Sequence, residues 1–197
     1  MIVKSEIEEV INIFRDLHIP FYFHAGFAIN LLGFDSELDD CDIRVFHPDI
    51  KKLYKYIKEK YNYNINLRSV QAYEGGVYEN ECIQINNRTN FDICSRMIVS
   101  CDIGKFEFPF NTEVFKDILI FKYQGLSVPI ASPESLLLYY LILRRGKIDN
   151  KNDELRIKDL LQSDTLNIIK FENMIEGLPL FPKINILYKK VKDKYIN

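Results

Sequence analysis

The chain has 197 residues, of which 47% are hydrophobic and 27% charged, with 26 basic against 28 acidic side chains and a formal net charge of −2. That composition supplies a sizeable core and excludes a disordered chain, and the charge balance demands neither a nucleic acid nor a membrane surface as partner. No apolar run approaches the roughly 20 residues of a membrane span, and the opening "MIVKSEIEEV" is too polar for a secretory signal; a cytoplasmic location with no membrane contact is expected.

In chain order, "SEIEEVINIFRDLH" repeats Ile7, Val10, Ile11 and Phe14 at helical spacing, and Ser5 with Glu8 reads as a capping box. Pro20 stops that helix, "FYFHA" is a short strand, Ala28 to Leu32 a helix closed by Gly33, and "CDIRVF" a strand. "PDIKKLYKYIKEKY" places Ile50, Leu53 and Ile57 on one helical side. Next come β segments: "YNINLRSV" and "VYENECIQIN" around the turn signal "YEGG", then "TNFDICSRMIV", "KFEFPF" and the hairpin "ILIFKYQGLSVPI". From Ser132 the pattern turns helical. Ser132 is the expected N-cap, Pro133 the first helical residue and Gly146 the stop of the first of four helices. The fold class is therefore α+β: a mixed sheet flanked by helices over residues 1–130, followed by a C-terminal helical bundle over 131–197. The four cysteines, Cys41, Cys82, Cys94 and Cys101, form no C-x-x-C pair and read as buried free thiols.

Chemistry concentrates around "DDCDIRVF". Alternation along a strand puts Asp40, Asp42 and Arg44 on one face and Cys41, Ile43 and Val45 on the other. Two carboxylates two residues apart repel, and a cation relieves the repulsion. Mg²⁺, an ion of oxygen ligands that travels with nucleotide phosphates, suits them. Asp92 in "NFDICS" offers a third carboxylate from another strand, and three such groups on two adjacent strands can hold two metal ions for in-line phosphoryl transfer. The bland alternative is a solvated acidic turn at a strand end, and Asp92 could equally cap a turn or pair with Arg96. Gly26, at a strand-to-helix junction, permits close approach of a phosphate, although a simple turn glycine explains it too. His24 reads as a structural histidine. Arg144 and Arg145 read as solvated helix-end cations, and "YKKVKDKYIN" as a basic, solvated tail.

These residues resemble the nucleotidyltransferases of the DNA polymerase β superfamily. The signature there is a small-residue turn, then D-h-D-h in a strand; here it reads His24-Ala25-Gly26, thirteen residues, then Asp40-Cys41-Asp42-Ile43. "GFAINLLGF" is similar to the corresponding helix of small stand-alone members, among them the toxins of AbiE-type toxin–antitoxin systems. "VPIASPESLLLYYLILRRG…KNDELRIKDLLQ" resembles the later segment of the family, with Lys151 as the lysine near the nucleotide. The chain departs from the pattern in carrying Ala25 for the first glycine, and Ser36 and Leu38 where small members have R-x-T.

The resemblance implies a Mg²⁺-dependent enzyme that moves a nucleoside monophosphate from an NTP, such as ATP, to a hydroxyl or phosphate of RNA, a protein or a small molecule. Asp40, Asp42 and Asp92 would hold the metal and do the catalytic work, with Gly26 and Lys151 at the nucleotide. The alternative is an inactive member of the fold that binds or regulates, such as one half of a toxin–antitoxin pair. A weaker third option is an acidic interaction module that binds no nucleotide. Sequence does not choose the acceptor, the base or the oligomeric state.

Overall fold

The structure is a computed structural model that describes residues 2–34, 38, 40–46, 48–73, 76–108, 116–145, 147–148 and 151–196; the side chains of 68–73, 147, 148 and 151 lie outside the description. Among the described residues there are seven helices and ten strands. The turn at Glu74-Gly75, the expected helix stop at Gly146, and Ser36 fall outside the described residues.

The elements are α1 (Lys4–Asp16), β1 (Phe21–Phe23), α2 (Ala25–Leu31), β2 (Asp40–Val45), α3 (Asp49–Lys60), β3 (Ile65–Tyr73), β4 (Gly76–Asn86), β5 (Asn90–Cys101), β6 (Gly104–Glu107), β7 (Leu119–Tyr123) and β8 (Leu126–Ile130). There follow α4 (Pro133–Leu143), β9 (Lys147–Ile148), β10 (Lys151–Asn152), α5 (Asp153–Leu161), α6 (Ile168–Glu176) and α7 (Phe181–Tyr195). Eight strands form one mixed sheet in the order β3-β4-β5-β2-β1-β8-β7, with β6 paired antiparallel to β5. The pairs β2–β5 and β1–β8 are parallel, and β1–β2 and β7–β8 are antiparallel. The α+β class expected from the sequence is the one observed.

Compact packing divides the chain into two units. The first holds Met1–Val70, Glu79–Met97 and Phe108–Ala131; the second holds Gln71–Tyr78, Ile98–Glu107 and Ser132–Asn197. In the first, α1 buries Ile7, Val10, Ile11 and Phe14, and Phe14 stacks on Phe21 with ring centroids 4.3 Å apart. Helix α3 buries Ile50, Leu53 and Ile57, the stripe its periodicity predicts. The hairpin β7–β8 turns through Gln124 at φ 48° and Gly125 at φ 88°, the two left-handed residues that match the twist of paired strands.

In the second unit α4 is buried all round, Leu136 to Leu143 included, as befits the centre of a bundle. Ser132 caps it as expected, its hydroxyl accepting from Ser135 N at 3.3 Å. The helix ends earlier than the sequence suggests: Arg144 takes the left-handed cap conformation at φ 45°. Residues expected as a solvated tail are the last turns of α7, where Lys192 pairs with Glu172 at 2.9 Å and Lys194 pairs with Glu154. The reading of Arg144 and Arg145 as solvated cations also fails, because Arg144 pairs with Asp102 and Arg145 with Asp153.

The start of α1 differs as well. Its N-cap is Val3, without a side-chain cap, rather than Ser5. Thr89 supplies what a capping box would: Val3 N donates to Thr89 Oγ1, and Thr89 N donates to Glu6 Oε2, both at 2.7 Å. A partner more than eighty residues away satisfies the helix end, which no local pattern encodes.

Candidate functional site

Strand β2 carries the acids because its alternation sorts them. Cys41, Ile43 and Val45 are fully buried, whereas Asp40 and Asp42 on the other face are half-buried. The parallel partner β5 repeats the sorting, with Phe91 and Ile93 buried and Asp92 half-buried. In the register of the two strands Asp42 stands directly opposite Asp92, and Asp40 opposite Asn90. Two of the three acids expected from the sequence are thus register partners on one face of the sheet. Among the described residues, however, no group of three or more His, Cys, Asp or Glu side chains is gathered closely enough to hold a metal ion.

The surroundings define the electrostatics. Asp92 Oδ1 accepts from Gln84 Nε2 at 2.8 Å. Gln84 carries no charge, so the bond orients the carboxylate without neutralising it. Two residues further along β5, the Cys94 thiol lies 2.7 Å from Cys82 Sγ, and Asn80 Nδ2 donates to Cys94 Sγ at 3.5 Å. All four cysteines are free, and Cys41, Cys82 and Cys94 are buried as expected. The Cys41 thiol is pushed up by burial, and further by the negative charges of Asp42 and Asp40. Arg44 is 2% exposed and its Nη2 lies 3.7 Å from Met97 Sδ. Its positive charge opposes the burial that pushes the Tyr22 hydroxyl up.

The junction before the acids holds an unforeseen feature. Helix α2 begins at Ala25, not Ala28, and Ala25 has φ 45°. A left-handed residue with a Cβ is strained by roughly 1–2 kcal/mol, and this is the position at which the family signature has its first glycine. Gly26 therefore sits inside the first turn of a seven-residue helix instead of in a preceding loop. His24 is its N-cap, 2% exposed, and His24 N donates to Asp42 O at 2.8 Å, tying the junction to the acidic strand. Lys151 begins β10 and pairs in register with Ile148; its side chain lies outside the described residues.

The register sets the expected acids Asp42 and Asp92 opposite each other, and Gln84, which the sequence reading did not single out, bonds to Asp92. A glutamine in an alternating strand carries no signal until register shows what it faces. No helix among the described residues is long and apolar enough to cross a membrane.

No family model matches the sequence, and no curated protein matches it. Solved structures do. The lincosamide antibiotic adenylyltransferase LnuA, bound to lincomycin, matches with a TM-score of 0.52 and 16% identity over 82% of this chain and 98% of that one. A putative nucleotidyltransferase from Thermotoga maritima matches with a TM-score of 0.54 and 17% identity over 75% of this chain and 89% of its own. The antibiotic-resistance factor ANT(2'')-Ia in solution matches with a TM-score of 0.53 and 14% identity over 98% and 92%. Across most of its length, the chain therefore has a fold similar to that of these nucleotidyltransferases.

Proposed function

We propose that this protein transfers a nucleoside monophosphate from an NTP to an acceptor hydroxyl or phosphate, with release of pyrophosphate. The observation that carries the reading is the register of Asp42 against Asp92 on adjacent parallel strands, in a fold whose solved examples include adenylyltransferases. The donor set suits Mg²⁺ in kind, since it consists of hard carboxylate oxygens. Mg²⁺ commonly takes one or two carboxylates and completes its shell with water and substrate phosphates, so a gathered trio is not required before the nucleotide arrives. Asp42 and Asp92 would hold the ion, with Asp40 beside them. When bound, the ion would neutralise phosphate charge and favour ionisation of the acceptor hydroxyl. Gln84 fixes the Asp92 carboxylate through Oδ1. Gly26 lies in the turn that would line the triphosphate, and Lys151 would approach the nucleotide.

Small molecules are the first acceptors to try. One structural neighbour is described as lincomycin-bound and another as in complex with adenylyl-2''-tobramycin. The test incubates the protein with each labelled NTP, Mg²⁺ and panels of small-molecule hydroxyl compounds, RNA and the protein itself, and measures pyrophosphate. Release that Asp42→Asn abolishes supports the reading. No release with any panel, or equal release from the variant, overturns it.

A binding or regulatory protein without transfer is the second reading. It is favoured by Arg44, a buried resident cation on the strand face of Asp40 and Asp42, and by Ala25 in the strained position. Nucleotide binding that ignores Mg²⁺ in calorimetry identifies it.

A further inference from the structure

The helical unit contains a cleft far along the chain from the acids, enclosed by α4, α5 and α7 with a volume of about 310 Å³. This is the lower end of the roughly 300–1,000 Å³ range of small-ligand pockets. Its apolar lining is Leu141, Ile157, Leu187 and Val191, and its polar groups are Arg144, Lys190, Lys194 and Glu154.

The polar groups are not equivalent. Glu154 is already engaged by Lys194 and by the Tyr195 hydroxyl at 2.6 Å, so that pair adds little net charge. Arg144 gives Nη2 to Asp102, but its Nε is buried and has no hydrogen-bond partner among the described residues. A buried donor left unmade is costly. The backbone also holds Arg144 in the left-handed region at φ 45°, where a side chain is strained and a functional reason is worth seeking. Lys190 makes no ion pair among the described residues. Lys190 thus brings an unspent cation, and Arg144 a guanidinium, to the rim of an apolar floor.

We infer that this cleft binds a small amphipathic anion: an apolar body of medium length seated on Leu141, Ile157, Leu187 and Val191, with one carboxylate that pairs with Lys190 beside the Arg144 guanidinium. The assignment does not depend on the proposed nucleotidyl transfer and holds whether or not that transfer occurs.

The experiment titrates the full chain with octanoate, octanol and octylamine by calorimetry, with no nucleotide present. Octanoate binds saturably at one site, and octylamine binds at least about tenfold more weakly, as expected for loss of a charge-assisted hydrogen bond. Lys190→Glu, a change at an exposed position, weakens octanoate about tenfold and leaves octanol unaffected. Leu187→Trp fills the cleft and abolishes both, with the helical circular dichroism retained. Equal binding of octanoate and octylamine, octanoate affinity indifferent to Lys190→Glu, or no saturable binding of octanoate to the native chain each overturns the assignment. If Leu187→Trp loses its helical signal, Lys190→Glu alone decides.

Discussion

Asp92 on the sheet and the buried acids of the helical unit are held in opposite ways. In the helical unit each buried carboxylate is locked. Asp153, 2% exposed, accepts from the Arg145 backbone N at 2.7 Å and from two guanidinium nitrogens at 3.1 Å. Glu134, 3% exposed, accepts from Asn167 N at 2.9 Å and pairs with Lys170 at 3.4 Å. On the sheet, Asp92 is half-buried, and its hydrogen-bond partner is the uncharged amide of Gln84. A carboxylate answered by a fixed cation holds structure, whereas one answered by an amide keeps its charge for a visitor. The contrast supports the proposal of nucleotidyl transfer at the sheet acids rather than at the locked acids of the helical unit.

The comparison breaks most visibly if the locked acids turn out dispensable. Asp153→Ala leaves Arg145 largely buried without its counter-charge, and is expected to cost about 3–5 kcal/mol in denaturant unfolding. A loss under about 1 kcal/mol would mean that the pair behaves like a surface one. On the sheet the expectation reverses: Asp42→Asn lowers pyrophosphate release at least about a hundredfold, while the melting temperature holds or rises because like charges no longer face each other. A variant that both unfolds and loses activity would erase the distinction.

A smaller effect sharpens the account of the junction. Ala25→Gly relieves the Cβ strain at φ 45° and is expected to stabilise by up to about 1 kcal/mol; a loss of stability would show that the alanine methyl packs better than its backbone suffers. The smallest effect is one of pH. Lys192 beside Glu172 holds that carboxyl below the usual glutamate range, with burial opposing and the Tyr188 hydroxyl assisting. A carboxyl depressed in the folded state stabilises above its unfolded value and loses that contribution as pH falls through its folded value. Melting temperature should therefore fall more steeply below about pH 4.3 in the native chain than in Glu172→Gln, by an amount worth at most about 0.5 kcal/mol for so exposed a pair.

Local periodicity made much of the fold readable. Helix α3, the hairpin β7–β8, the Ser132 cap and the two-sided burial of β2 all follow from spacing and turn chemistry within a few residues. Features set by distant partners did not show. Thr89 replaces the expected capping box of α1, Asp153 recruits Arg145, and Asp102 recruits Arg144; in each case the decisive group lies on another element. The site divides in the same way. Asp42 and Asp92 were visible as acids interrupting apolar strands, while Gln84 and the left-handed Ala25 depend on register and backbone angle. Resemblance to a signature supplied the order of the motifs, but it could not show that the alanine occupies the glycine conformation.

The parallel pairing of β2 with β5 has a kinetic corollary. Asp42 and Asp92 are fifty residues apart in the chain, and parallel neighbours need a long crossover to be closed before their ladder rewards it. A nascent or partly collapsed chain therefore holds each aspartate separately in water. The two carboxylates come to face each other only with the central ladder, so whatever they do together is postponed until the sheet around them is complete.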